Sequence, residues 1–216
     1  MNELTALVID GLARRGLEEA LPATAGFAAY LALLLRANTQ VNLVSRREAV
    51  PETLVERHLL EALEALQFLP AAGRTPVGLL DVGSGGGFPA IPLLLARRDL
   101  EGVLVETVGK KASFLRDAVE VLGLTARVVN ARFPDPAVTL MKNAPPCHFL
   151  TSRAVAGAGE LVRAARPVLA REAVALLWTS EPLLEELRRA LPGVRMSFQK
   201  SPGADRRGIA RVECFT

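Results

Sequence analysis

"LLDVGSGGGFPAIPLLLA", residues Leu79 to Ala96, places four glycines and two prolines between two apolar runs. The flanks decide what the glycines do. Apolar strand-like and helix-like residues adjoin the turn tightly on both sides, which a loose linker would not show. The pattern is strand, turn, helix. Glycine lets the backbone approach a ligand closely, and parallel sheets bind ligands at the carboxyl ends of their strands. A helix N-terminus also turns free N–H groups towards such a ligand. The stretch therefore predicts a cofactor loop, with Asp81 ending the strand and Gly83 and Gly85 in the turn.

Downstream of this turn, short apolar runs alternate with helical stretches. "VGLLDV", "GVLVE", "ARVVN", "CHFLTS" and "AVALLWT" read as buried strands. Helical spacing covers roughly Ile91 to Arg97, Lys110 to Leu122, Gly157 to Leu169 and Glu181 to Leu191. That alternation predicts an α/β fold, a doubly wound and mostly parallel sheet covered on both faces. Two final strand-like runs, "VRMSFQ" and "ARVECF", are joined only by "KSPGADRRGI". A connection so short favours an antiparallel hairpin over a crossover. Upstream the reading is purely helical. Leu4, Leu7, Val8 and Leu12 recur at helical spacing, as do Phe27, Tyr30, Leu31, Leu34 and Leu35. After Pro51, Leu54, Val55, Leu59, Ala62, Leu63 and Leu66 form one apolar stripe. "LPAAGRTP" separates an N-terminal helical extension, residues 1–70, from a sheet domain, residues 71–216.

Composition narrows the class of function. The chain has 216 residues, half of them hydrophobic, and a net charge of +3. It is expected to be globular, with no run reaching the ~20 apolar residues of a membrane span. The N-terminus is amphipathic and unlike a signal peptide. Cys147 and Cys214 have no ligand spacing, and there are two histidines. No metal site or disulfide framework is expected, and the cytoplasm is the expected compartment.

The kind of cofactor follows from what flanks the glycines. "GSGGG" fits GxGxG, but Phe88 stands where the dinucleotide motif GxxG would end, and no Gly-Lys-Ser/Thr follows. Glu106 closes the next strand, where a carboxylate can accept both ribose hydroxyls of an adenosine-containing ligand of either kind. Asp81 can accept from a methionine ammonium and would repel a pyrophosphate. Together with the closing hairpin, this favours S-adenosylmethionine over a nicotinamide dinucleotide.

"NLVSRRE…ERHLLEAL", "LLDVGSGGGFPAIPLLLARRDL", "VETVGKKASFLRDAVEVLGL" and "TSRAVA" run in order from Asn42 to Ala156. Together they resemble the signature segments of the RsmG (GidB) family, bacterial methyltransferases of guanine N7 in 16S ribosomal RNA. The resemblance implies a class I, Rossmann-like methyltransferase with a seven-stranded sheet and a monomer acting on 16S rRNA or the 30S subunit. It implies that Gly83, Gly85 and Phe88 line S-adenosylmethionine and that Glu106 holds its ribose. Arg132 and Phe133 in "VVNARFP" would meet the adenine. Arg153 in "SRA" would stand beside the cofactor where the target base enters, as the catalytic residue. Asn42 and His58 match family positions on the helical extension. Three departures stand out. Ala90 replaces a usual glycine, Glu61-Ala62 replaces Asp-Ser, and Trp178-Thr179 stand where a lysine is common.

Several residues also have ordinary structural readings. His58 fits a helix-packing histidine, Phe88 a sheet-packing ring, Trp178 a core tryptophan, and Lys110 and Lys111 a solvated helix start. Arg153 fits a plain ion pair with a neighbouring carboxylate. From Arg195 to Arg211 the tail has five basic residues and one acid, Asp205. With Arg46, Arg47 and Arg57 it would give a footprint for a phosphate backbone, or simply a solvated face. A methyltransferase of the same sheet acting on a small molecule or protein, and a nicotinamide oxidoreductase, remain open at this point.

Overall fold

The computed structural model describes residues 3–135, 146–153 and 157–214. Ala154–Ala156, the end of "TSRAVA", and Phe215 lie outside them. Seven strands appear among the described residues: β1 (Val77–Val82), β2 (Leu100–Glu106), β3 (Ala126–Asn130), β4 (Cys147–Arg153), β5 (Leu169–Ser180), β6 (Met196–Lys200) and β7 (Arg207–Glu213). They form one sheet in the order β3-β2-β1-β4-β5-β7-β6. β1 to β5 are parallel, and β7 is antiparallel to both β5 and β6. The expected terminal hairpin is therefore present.

The strands follow from their composition. In β1, Leu79 packs on one face and Leu80 on the other, both almost fully buried. That two-sided burial is why β1 reads as a continuous apolar run. The helices are α1 (Glu3–Arg15), α2 (Thr24–Asn38), α3 (Pro51–Leu54), α4 (Leu60–Leu63), α5 (Ala90–Ala96), α6 (Gly109–Val121), α7 (Ala158–Ala165) and α8 (Glu181–Ala190). The N-terminal helices, α5 and α6 share one continuous core on one sheet face, and α7 and α8 cover the other.

Three local readings change. The stripe from Leu54 to Leu66 predicts one regular helix, but the chain breaks it with a π turn at Val55–Leu59 and a 3-10 turn at Glu64–Phe68. In the π turn the Leu60 N–H reaches back five residues to the Val55 carbonyl. The helix expected to run to Leu169 stops at Ala165. Pro167 cannot supply a helical N–H, and a short 3-10 turn leads into β5. Finally, Glu18–Asn38 is a helical stretch of 21 residues apolar enough to cross a bilayer, contrary to the expectation that none exists. Its Phe27, Tyr30, Leu31 and Leu34 are fully buried in the protein's own core, against the layer that carries the glycine turn.

Two contacts fix the helical layer to that turn. The buried Tyr30 hydroxyl donates to the Gly86 carbonyl at 2.6 Å, and its ring meets Phe88 edge to face at 5.2 Å. Asn38 Oδ1 accepts from the Leu43 and Val44 amides at 2.8 and 2.9 Å, shaping the loop that precedes α3. Gly87 leaves no alternative: its φ is +100°, and an added Cβ would lie 2.5 Å from Ile91 Cδ1. Tyr30→Phe keeps the ring and leaves the buried Gly86 carbonyl unpaired. The expected cost is ~1–3 kcal/mol, or a Tm lower by ~2–4 °C for each kcal/mol. Thermal and urea unfolding measure it, and an unchanged midpoint would show that the clamp contributes nothing.

Candidate active site

The turn after β1 is held from below by the end of β2. The Gly83 and Ser84 amides both donate to the Val105 carbonyl, at 2.9 and 3.1 Å, and the Gly85 amide donates to Glu106 Oε2 at 2.8 Å. These N–H groups are thus engaged within the protein. What the turn offers a ligand is bare Cα surface, and Gly83 secures it at a φ of +77°, which a branched side chain would not adopt.

Above the turn is a cavity of about 550 Å³, walled by Gly83, Gly85 and Phe88 from the turn, Arg153 from β4, and Glu48 and His58 from the helical layer. Three buried side-chain atoms lack a hydrogen-bond partner among the described residues: Asp81 Oδ2, Arg153 Nη1 and His58 Nε2. Arg153 and His58 line this cavity, and Asp81 lies two residues before its Gly83 wall.

Asp81 is 1% exposed. Its Oδ1 accepts from Thr151 Oγ1 at 2.7 Å, which leaves Oδ2 alone. Burial pushes the carboxyl up to about 7, against the nearby Ser84 and Thr151 hydroxyls. A cation reaching Oδ2 would meet a group ready to ionise. Arg153 is held on one side only. Its Nη2 donates to the Arg57 carbonyl in the π turn at 2.7 Å and to Glu61 Oε2 at 2.9 Å, so both the ion pair and a free Nη1 are present. Glu61 is buried, and its other oxygen lies 3.2 Å from Arg207 Nη2. Its main-chain carbonyl accepts the Trp178 indole N–H at 2.8 Å. Trp178 accordingly packs in the core with its donor used, while its ring edge borders the cavity.

His58 packs against Phe88 with ring centroids 5.0 Å apart. Burial first, then the nearby Arg153 charge, lowers its pKa to about 4, so the imidazole is neutral at physiological pH. The structure thus brings Gly83, Gly85, Phe88, Arg153 and His58 together above Asp81. Glu106 stands on the far side of the turn, its carboxylate accepting the Gly85 and Val108 amides. The Thr107 hydroxyl donates to Oε1 as well, at 3.3 Å, so three of its roughly four lone-pair sites are used. Arg132 is exposed beyond β3, and Phe133 packs on the opposite core; neither lines the cavity. Asn42 borders a separate hollow beside Arg46. Lys110 is exposed and Lys111 half-buried at the start of α6.

Tyr30, Glu48 and the linking role of Glu61 escaped sequence reasoning. Tyr30 sits in an apolar stripe that gives no hint of its hydroxyl's partner. Glu61 was visible only as a retained acid three residues after His58.

The strand order, the terminal hairpin and the bare turn at the carboxyl end of β1 define a class I methyltransferase fold. Solved structures bear this out. A precorrin-6y C5,15-methyltransferase from Geobacter metallireducens is 14% identical with a TM-score of 0.57, covering 79% of this chain and 93% of its own. An MtNAS variant in complex with S-adenosylmethionine is 17% identical with a TM-score of 0.57, covering 94% of this chain and 80% of its own.

The family is narrower than the fold. Residues 23–200 match the model of GidB, rRNA small subunit methyltransferase G. Relatives named ribosomal RNA small subunit methyltransferase G include proteins from Chromobacterium violaceum, 34% identical over 89% of this chain and 88% of theirs, and Acidiphilium cryptum, 33% identical over 84% and 80%. The chain belongs to the GidB family of S-adenosylmethionine-dependent methyltransferases, and the oxidoreductase alternative is set aside.

The two buried titrations act in opposite directions on stability. Asp81 keeps its proton in the native state up to about 7 but loses it near 3.8 when unfolded, so its contribution is present below pH 3.8 and lost as pH rises to 7. His58 binds its proton near 6.5 only when unfolded, so stability rises with pH from about 4 to 6.5. In Asp81→Asn the first effect is gone. The variant should gain stability relative to the native chain across pH 4 to 7 and show a constant difference above it. Urea unfolding at a series of pH values tests this, and parallel curves would show that Asp81 does not carry the raised pKa.

Proposed function

We propose that this chain transfers a methyl group from S-adenosylmethionine to N7 of a guanine in the 16S rRNA of the small ribosomal subunit, as a monomer in the cytoplasm. The observation that carries this reading is a cavity with a side-chain-free wall, lined by the unpartnered Arg153 Nη1 and His58 Nε2, with the Asp81 carboxyl two residues before that wall. A carboxylate oxygen there suits a cation, and a guanidinium nitrogen suits an electron-rich ring atom. Membership of a family named for small-subunit rRNA supplies the substrate class.

Residue roles follow from chemistry. Asp81 Oδ2 takes the ammonium of the donor's amino-acid part, which runs along bare backbone at Gly83 and Gly85 and against Phe88. Glu106 turns to the ribose hydroxyls, the Thr107 hydroxyl giving way at Oε1, and Arg132 and Phe133 flank the adenine. S-adenosylmethionine, when bound, supplies a methyl group already activated on a positively charged sulfur. The chain's own task is then to orient the acceptor and exclude water, because guanine N7 has a free lone pair and no proton to lose. A neutral His58 and an Arg153 locked by Glu61 meet that demand without a general base. Arg153 holds the target base through O6. The exposed Arg57 and half-exposed Arg207 at the mouth, with Arg46 and Arg47 nearby, attract the phosphate backbone.

Labelled donor should be offered with unmodified 30S particles, free 16S rRNA and small nucleophiles, followed by mass mapping of the product. Label is expected on one guanine of the ribosomal RNA, and label on the small nucleophiles alone would overturn the proposal. Gly83→Val tests the bare wall separately. Calorimetry should show S-adenosylhomocysteine binding lost while circular dichroism keeps the native spectrum; retained binding would remove the turn from the cofactor site.

A further inference from the structure

The cavity holds a polar pair that methyl transfer to N7 does not itself require. Glu48 Oε2 accepts from Ser45 Oγ at 2.7 Å, while Oε1 lies 3.7 Å from His58 Nε2. That separation is beyond a hydrogen bond. Nor is it a working ion pair, since the imidazole is neutral, while the Ser45 hydrogen bond holds the Glu48 carboxyl below its usual range and ionised. Both atoms border the same cavity as Arg153 Nη1. His58 Nε2 is buried and unpartnered, and Phe88 fixes its ring. The neutral imidazole can carry its proton on either nitrogen, and in the tautomer that the proposal below requires, with the proton on Nδ1, His58 Nε2 is an acceptor. Two acceptors at this spacing, beside a donor, ask for a ligand edge with two adjacent donors next to one acceptor.

Among the bases, guanine has that edge: N1–H and the 2-amino group donate, and O6 beside them accepts. Adenine offers a donor where guanine offers O6. We propose that His58 Nε2 takes the N1–H and Glu48 Oε1 the 2-amino donor of the target guanine while Arg153 Nη1 donates to its O6. The pair thereby selects guanine over other purines. This inference rests on the guanine N7 reading above. The order N7, O6, N1, 2-amino around the purine lets the methylated nitrogen face the glycine turn while the remaining edge faces the helical layer. Adenine would set its 6-amino group against the Arg153 donor, and a buried mismatch of that kind costs far more than a missing methylene.

The test compares single-turnover methyl transfer to small-subunit particles reconstituted with guanine or inosine at the target nucleotide. Inosine keeps N7, O6 and N1–H and lacks only the 2-amino group. The native chain should prefer guanine by ~10-fold or more in kcat/KM, a factor of the size one lost polar contact gives. Glu48→Gln should slow transfer to guanine more than to inosine and bring the ratio below ~3. Both rates carry any damage to folding, so the ratio reports the contact alone. Equal rates for the two particles with the native chain, or an undiminished preference in Glu48→Gln, would overturn the inference and leave the N7 reading standing. No transfer to either particle would overturn both.

Discussion

Glu61 is the joint on which the site depends. From a single turn of the helical layer it reaches three neighbouring strands: its carboxylate meets Arg153 of β4 and Arg207 of β7, and its carbonyl meets the Trp178 indole of β5. These strands are adjacent in the sheet. Such a buried pair adds little net stability compared with an apolar replacement, yet removing one partner leaves an uncompensated charge at a cost of ~3–5 kcal/mol. Its contribution is therefore positional. Two guanidiniums share one carboxylate, so positive charge is left over, and the unpartnered Arg153 Nη1 carries it to the cavity wall.

The π turn has a matching role. It places the Arg57 carbonyl on the other side of Arg153 Nη2 and sets His58 against Phe88 within the same five residues. Phe88 is in turn held by Tyr30, whose hydroxyl grips the glycine turn. The two halves of the cavity are in this way built against each other. The sheet supplies a wall of backbone, and the helices supply side chains that face it.

Legibility in the sequence followed the range of the forces involved. Parallel strands buried on both faces must be short apolar runs, so β1 could be read to the residue. The glycine turn was equally plain, since few other reasons place so many residues without Cβ after a strand. The π turn was hidden because Leu54 to Leu66 is buried almost all round, and periodicity reports a face only when another face is wet. The wiring of the site was hidden for a different reason. Arg153 meets Glu61 across 92 residues and Thr151 meets Asp81 across 70, and no local pattern encodes such distances. The turn's amides were hidden in the same way: their partners, the Val105 carbonyl and the Glu106 carboxylate, belong to another strand.

The loop before α3 owes its shape to one side-chain amide, Asn38, which gathers the Leu43 and Val44 N–H groups. This loop carries Glu48, while the glycine turn on the opposite wall follows β1 and is held by the end of β2 and by Tyr30 of α2. In the proposed reading, one of the groups that recognise the base thus sits on a loop apart from the turn that seats the donor. A change in that short segment would then alter what is marked while the glycine turn stays as it is.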